Sequence, residues 1–149
     1  MKKVSVKGII VFLMWIISAI WVISRTPTGP LAKERLGVVV KDLDYLFKNS
    51  IIFSRHENAK SGSAIALYGV DLSTFDDEKV QILKGSLKGR GWVFVGENDR
   101  AYVMCKSGMK LSISKVTENE AVSGPQRRAF SVSMEFNAGT EDFCRRRMR

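Results

Sequence analysis

The chain has 149 residues, of which 45% are apolar, and 24 basic against 15 acidic side chains give it a formal net charge of +9. This length suits one ordinary domain, and the apolar content is too high for a disordered chain. One histidine and two cysteines exclude the common multi-ligand zinc sites and a disulfide-dense scaffold.

The N-terminal segment is an apolar run at 8–24 behind a short basic head at 1–7. Fourteen of the 17 residues in the run are apolar and none is charged. At 1.5 Å per residue the run extends about 26 Å, against roughly 30 Å for a hydrocarbon core. The pattern predicts an uncleaved transmembrane signal-anchor and a linker at 25–30. Because a basic head favours a cytoplasmic N-terminus, we expect a single-pass protein of a bacterial inner membrane, in which 31–149 form a periplasmic domain.

Two other interpretations of this apolar run stay open. A cleaved secretory signal peptide has the same basic head and needs small residues at its cleavage point. Val22-Ile23-Ser24 and Ile17-Ser18-Ala19 each offer such residues. A helix buried in the domain would also be apolar.

The chain has a short leader ending at Gly8, then the apolar run, with Pro30 downstream and two cysteines nearer the C-terminus. In these features its N-terminal segment resembles that of a type IV pilin or pseudopilin. This resemblance implies a structural subunit of a pilus-like fibre, processed after Gly8. Leu13 stands where the family has a glutamate, and Arg25–Pro30 predicts a break where the pilin stem is a continuous helix.

The first helix of the domain is predicted at about 31–48. Pro30 suits its first position, with Thr28 or Gly29 as the N-cap. Apolar residues recur at helical spacing and predict one stripe that faces the core. This stripe consists of Leu36, Val39, Val40, Leu43, Leu46 and Phe47.

A second helix is predicted to begin after Ser73 or Thr74, either of which can cap it, and to end at Gly89. The acidic residues at 76–78 fall in its first turn, where negative charge is favourable to the helix dipole. This position explains the three acidic residues, and no metal site is predicted.

Six strands are predicted from alternating or short apolar segments bounded by turns. Together with the helices they give the order α-β-β-α-β-β-β-β. This order predicts an α+β domain with an antiparallel sheet and two helices packed on one face. The predicted strands are Ile51–Arg55, Ser63–Val70, Trp92–Val95, Arg100–Lys106, Met109–Val116 and Arg128–Phe136, and His56–Gly62 is predicted as a polar loop.

Ser107-Gly108 is predicted as a two-residue hairpin turn. This turn would set the register so that Cys105 points to the less apolar face of the sheet. Cys144 lies in the segment Gly139–Arg149, which has no regular pattern. A disulfide between Cys105 and Cys144 is therefore predicted to attach this tail to the outer face of the sheet, and two free thiols are the alternative.

Candidate chemistry is sparse. His56 and Glu57 are adjacent in the predicted polar loop, but adjacent residues of an extended segment point to opposite sides. No serine or cysteine has a nucleophile-elbow motif. We therefore predict no catalytic residues, no cofactor and no small-molecule substrate, and we treat His56 and Glu57 as a second candidate surface for a protein partner.

The basic tail is the main candidate for a partner-binding site. Arg145, Arg146, Arg147 and Arg149 lie within the last five residues, and such a cluster suits an acidic protein or an anionic lipid surface. Nucleic acid is not predicted, because no basic strand carries interleaved aromatic residues.

These observations favour a non-catalytic protein-binding domain, anchored in the bilayer through 8–24. An immunity-type protein that neutralises a toxin is the most specific expectation, beside an accessory subunit of envelope machinery. A pilin-like subunit is the alternative, and a hydrolase using His56 is a distant third.

Overall fold

The computed structural model describes residues 6–71, 77–114, 118–120 and 127–149. Within these ranges the predicted α+β class is confirmed. The helices are α1 Val6–Arg25, α2 Gly29–Leu46, α3 Asp77–Gly89 and α4 Ala138–Arg147, and the strands are β1 Ile52–Lys60, β2 Ser63–Asp71, β3 Val93–Glu97, β4 Ala101–Lys106, β5 Met109–Ser114, β6 Glu118–Glu120 and β7 Arg127–Asn137. The predicted caps Ser73 and Thr74 lie outside the described residues, as does Asp76.

The strands form one antiparallel sheet in the order β1-β2-β7-β5-β4-β3, with β6 paired to β7 beside this path. Directly opposed residues of antiparallel strands lie on the same face, so the register separates two faces. We call the face covered by α2 and α3 the inner face and its opposite the outer face. The inner face and these two helices share one buried cluster, which includes Val39, Leu43, Ala66, Tyr68, Leu83, Leu87, Met104, Leu111, Ile113, Val132 and Met134.

The turn at Ser107-Gly108 confirms the predicted hairpin register. Both residues have positive φ, 50° and 80°, as the tightest hairpin turns require. Met104 is opposite Leu111 on the inner face, and Cys105 is opposite Lys110 on the outer face. The turn therefore determines which way every side chain of β4 and β5 points.

The break between the first two helices is confirmed, since α1 ends at Arg25 and α2 begins at Gly29. The Thr28 side chain accepts a hydrogen bond from the backbone N–H of Leu31 at 3.5 Å, and Pro30 lies in the first turn of α2. Thr28 is therefore the N-cap. The continuous stem helix that the pilin resemblance implies is interrupted at this point.

Three segments differ from their predictions, and the shortest is β6, which none of the six predicted strands covers. β1 continues through His56 to Lys60, so the predicted polar loop His56–Gly62 is reduced to the short connection between β1 and β2. Pairing with β2 gives these polar residues backbone hydrogen-bond partners, which the local pattern does not encode. The segment Gly139–Arg149, predicted without regular structure, lies mostly in α4.

Among the residues that the structure describes, no helix is long and apolar enough to cross a membrane. The predicted single-pass localisation in a bacterial inner membrane, with the domain in the periplasm, is therefore wrong. The alternative of a buried helix is also wrong, because every described side chain at 9–23 is exposed.

A buried carboxylate connects the inner-face elements. Asp42 of α2, with 8% of its side chain exposed, accepts hydrogen bonds from Trp92 Nε1 at 3.0 Å, Arg90 at 3.0 Å and Lys106 Nζ at 2.8 Å. Trp92 and Arg90 lie between α3 and β3, and Lys106 ends β4. One side chain thus connects α2 to both the α3–β3 junction and the β4–β5 hairpin.

Asp42→Asn is expected to lower the free energy of unfolding by about 2–4 kcal/mol. Asparagine keeps an acceptor for Trp92 but leaves Lys106 and Arg90 without their counter-charge. The measurement is urea unfolding at neutral pH. Asp44→Asn is the control, because 44% of the Asp44 side chain is exposed and loss of an exposed ion pair costs at most about 1 kcal/mol. Equal effects of the two substitutions would contradict a central role for Asp42.

The stability contributed by Asp42 also depends on pH. Burial alone would raise the pKa of Asp42, but hydrogen bonds from Lys106, Trp92 and Arg90 outweigh burial and lower this pKa below its ordinary value. The contribution is therefore fully present above about pH 4 and is lost as the pH falls through the lowered folded-state pKa. The difference in unfolding free energy between wild type and Asp42→Asn should be constant from pH 5 to 7 and shrink below pH 4.

Candidate functional site

α4 starts directly at the end of β7, at a reciprocal cap. The Asn137 side chain accepts a hydrogen bond from the backbone N–H of Thr140 at 3.0 Å, and the Thr140 hydroxyl accepts one from the N–H of Asn137 at 2.8 Å. Such a capping box satisfies two donors at the start of a helix. It begins a helix in a segment whose Gly139 and Thr140 have low helix propensity.

The disulfide fixes the other end of α4. The Sγ atoms of Cys105 and Cys144 lie 2.03 Å apart, so the predicted pairing on the outer face is confirmed, and both side chains are fully buried. The space where Gly108 would carry a Cβ is only 3.0 Å from Cγ of Glu141. α4 therefore lies against the outer face beside the β4–β5 turn, and it is α4 that buries Cys105.

Four of the predicted site residues lie on α4 or directly after it, and they are Arg145, Arg146, Arg147 and Arg149. Arg145 forms a salt bridge with Asp142 and keeps 58% of its side chain exposed, and Arg146 Nε donates to the backbone carbonyl of Asp142 at 3.3 Å. The guanidinium of Arg147 lies 5.8 Å from the ring centre of Phe143. Arg149 follows the helix and is exposed.

A lysine from the sheet extends this charge. Lys110 Nζ on the outer face of β5 lies 5.8 Å from the Phe143 ring centre. We call Lys110, Arg145, Arg146, Arg147 and Arg149 the basic surface. Among the described residues, Glu141 and Asp142 of α4, and Glu135 opposite Lys110 on the outer face, lie beside these five positive charges. The basic surface therefore has a net positive charge, and its arginines are exposed on or directly after a fixed helix.

His56 and Glu57 do not form a common site. His56 is opposite Leu67 on the outer face of the sheet, whereas Glu57 is opposite Ala66 on the inner face. The alternation of side chains along β1 separates them, as the adjacency argument predicted. A general-base pair of His56 and Glu57 is therefore not assembled.

Glu57 instead belongs to a polar cluster at the edge of the inner face. It accepts hydrogen bonds from the Tyr68 hydroxyl at 2.6 Å and from Arg55, and Arg55 also donates to Asp44 of α2 at 2.9 Å. Burial opposes ionisation of Glu57, but the bonds from Tyr68 and Arg55 prevail and lower its pKa. Burial, then the hydrogen bond to Glu57, raises the pKa of Tyr68. Both groups therefore keep their ordinary protonation states, which suits a structural cluster rather than proton transfer.

A groove between α2 and α3 was missed by the sequence reasoning. Its volume is about 330 Å³, and its lining combines the apolar Leu46, Ile82 and Leu83 with Tyr45 and polar residues, which are Asn49, Ser50, Lys79 and Ser86. Arg90 lies 3.9 Å from the ring centre of Tyr45. Ile82 is 60% exposed, whereas Val80, Leu83 and Leu87 of the same helix are buried. An apolar residue outside the helical spacing of these three was the signal available in the sequence.

Within the described ranges, no three histidine, cysteine, aspartate or glutamate side chains are grouped closely enough to hold a metal ion. In comparisons with protein-family models, curated proteins and solved structures, none matches this chain.

Replacing both Cys105 and Cys144 by alanine is expected to lower the free energy of unfolding by roughly 4 kcal/mol, since the disulfide closes a separation of 39 residues in the chain-entropy model. Hydrogen exchange should rise most in α4, which then keeps only its capping box as an anchor. Urea unfolding and exchange mass spectrometry provide the measurements. Unchanged protection of α4 would show that the disulfide does not hold this helix in place.

Proposed function

We propose that this chain is a non-catalytic protein-binding domain that recognises an acidic protein through the basic surface on α4. The observation that carries the proposal is the attachment of Arg145, Arg146 and Arg147 to a helix fixed at one end by a capping box and at the other by a disulfide. Arginine side chains on a fixed helix lose less conformational freedom on binding than those of a flexible tail.

The chemistry of the surface supports a carboxylate-rich partner. Arginine presents forked donors that match a carboxylate in two hydrogen bonds, which lysine cannot do. The half-buried ring of Phe143, whose centre is 5.8 Å from both Lys110 and Arg147, adds an apolar contact beside the charges. Aromatic and arginine side chains are the groups that most often dominate the energy of protein interfaces.

A binding role is also supported by the state of the polar groups elsewhere. Asp42 accepts a hydrogen bond from Trp92 Nε1 and forms a salt bridge with Lys106. Glu57 accepts a hydrogen bond from the Tyr68 hydroxyl and forms a salt bridge with Arg55. Neither carboxylate is therefore free to act as a base. An immunity-type role or a role in envelope machinery was expected from the predicted membrane anchor, and neither is part of this proposal.

Replacing Arg145, Arg146, Arg147 and Arg149 together by serine is expected to weaken binding to immobilised poly-L-glutamate, an acidic polypeptide, by about tenfold or more at low salt. Each exposed ion pair is worth up to about 1 kcal/mol. Added salt should reduce wild-type binding, because charges farther apart than about 8 Å are screened at physiological ionic strength. Surface plasmon resonance measures both effects, and the thermal transition should be nearly unchanged.

The matched control removes four positive charges from α2, α3 and their flanks, by replacing the exposed residues Lys33, Lys41, Lys48 and Lys88 with serine. This variant has the same net charge as the tail variant and should bind poly-L-glutamate nearly as wild type does. If both variants lose affinity equally, only net charge matters and the proposed site is wrong. Tighter wild-type binding to a single-stranded oligonucleotide of equal charge would overturn the choice of an acidic protein.

A further inference from the structure

The β1 edge of the sheet is open in the described part of the chain. β1 stands at the end of the strand order, and of the described strands only β2 pairs with it. Its nine residues make it a longer edge than β3, which has five. An edge strand presents unpaired backbone donors and acceptors to any strand that fits beside it.

The order of side chains along β1 is complementary to itself. Arg55 and Glu57 flank His56 and point to the inner face, where Arg55 is 42% and Glu57 27% exposed. If a second β1 runs antiparallel with its His56 opposite the first, Arg55 of each copy faces Glu57 of the other. Opposite charges placed directly across two strands are favourable, and like charges are unfavourable.

No neighbouring register has this property. A two-fold axis perpendicular to the sheet places each residue of β1 opposite a residue of the same face in the second copy. The axis must therefore pass at one residue of β1, and any other register places a different residue at the axis. Centring on Arg55 or on Glu57 places like charges opposite each other. Centring on His56 also gives the longest overlap, because His56 is the middle residue of Ile52–Lys60.

The bulge in β1 limits where this pairing is regular. The β1–β2 register shifts between Ile52 and Ser54, whereas the stretch from Ser54 to Asn58 is uninterrupted. That stretch holds the pairs Ser54 with Asn58, Arg55 with Glu57, and His56 with itself. The part of the strand that carries the complementary charges is therefore its straight part.

We propose that β1 pairs antiparallel with β1 of a second copy of this chain, with His56 on the two-fold axis. The pairing continues the sheet across two molecules and creates two intermolecular Arg55–Glu57 contacts. It leaves α4 at a distance along the sheet, on β5 and β7 rather than on β1. The inference therefore stands independently of the proposed function.

A charge-reversal experiment on the full chain tests the register. Arg55→Glu and Glu57→Arg each place like charges across the interface, and each variant alone should associate on the order of tenfold more weakly than wild type. In an equimolar mixture one chain carries two carboxylates and the other two guanidinium groups, so mixed dimers should form. Sedimentation velocity over a concentration series measures this. A mixture that stays monomeric while wild type dimerises would overturn the register.

Cross-linking gives a second test that keeps both charges in place. In the proposed register the Cα atoms of the two His56 residues are about 5 Å apart, within disulfide range, so His56→Cys should form a covalent dimer on mild oxidation. Asn58→Cys is the matched control on the same face. Its two copies lie about 14 Å apart, four residues along the strand, and should not cross-link.

The cross-linking outcomes separate this pairing from other association. Mixing Ser54→Cys with Asn58→Cys should give the covalent heterodimer, because these positions face each other. Equal cross-linking of His56→Cys and Asn58→Cys would indicate collision through another surface, such as the exposed apolar side chains of α1, and would overturn the proposal. A wild-type chain that stays monomeric at every concentration would overturn it as well.

Discussion

The arrangement of the inner face depends on the carboxylate of Asp42. A buried charge is tolerated only when donors replace the water it has lost, and three donors from different parts of the chain meet at this side chain: Trp92, Arg90 and Lys106. If α2, the start of β3 or the end of β4 moved, one of them would leave the carboxylate under-satisfied. These hydrogen bonds are directional, so they add a constraint on the position of α2 to that of the non-directional apolar contacts.

The outer face is organised differently. α4 is attached to it by one covalent bond and one capping box, and its contact with the sheet is confined to the neighbourhood of β5 and β7. No residue of α4 belongs to the buried cluster of the inner face. The arginines of this helix are therefore not needed to fill that core. Arg145, Arg146 and Arg147 of this helix, and Arg149 after it, all stay exposed, which is the condition for a surface that meets another protein.

The polar cluster on β1 shows how one set of charges can serve two purposes. Glu57 accepts a hydrogen bond from the Tyr68 hydroxyl and forms a salt bridge with Arg55, and Arg55 donates a hydrogen bond to Asp44 on α2. These contacts join the edge strand to the helix above it. Arg55 and Glu57 also flank the midpoint of β1, which among the described strands pairs only with β2, so the same charges would face a strand added at this edge. The edge and α4 are therefore separate surfaces with different chemistry.

The sequence by itself determined the elements whose pattern is local. Helical spacing predicted α2, alternation predicted β7, and the Ser107-Gly108 turn fixed the register that points Cys105 outward. The chain has two cysteines, and the structure decided between a disulfide and two free thiols. Tertiary structure decided the rest. The polar half of β1 becomes a strand because β2 pairs with it, and α4 forms because a cap and a disulfide outweigh low helix propensity. The composition of 8–24 suggested a membrane span that the described helices do not provide. Lys106 donates a hydrogen bond to Asp42 although the two residues are 64 positions apart in the sequence. A local pattern of apolar and polar residues cannot predict a contact between side chains so far apart.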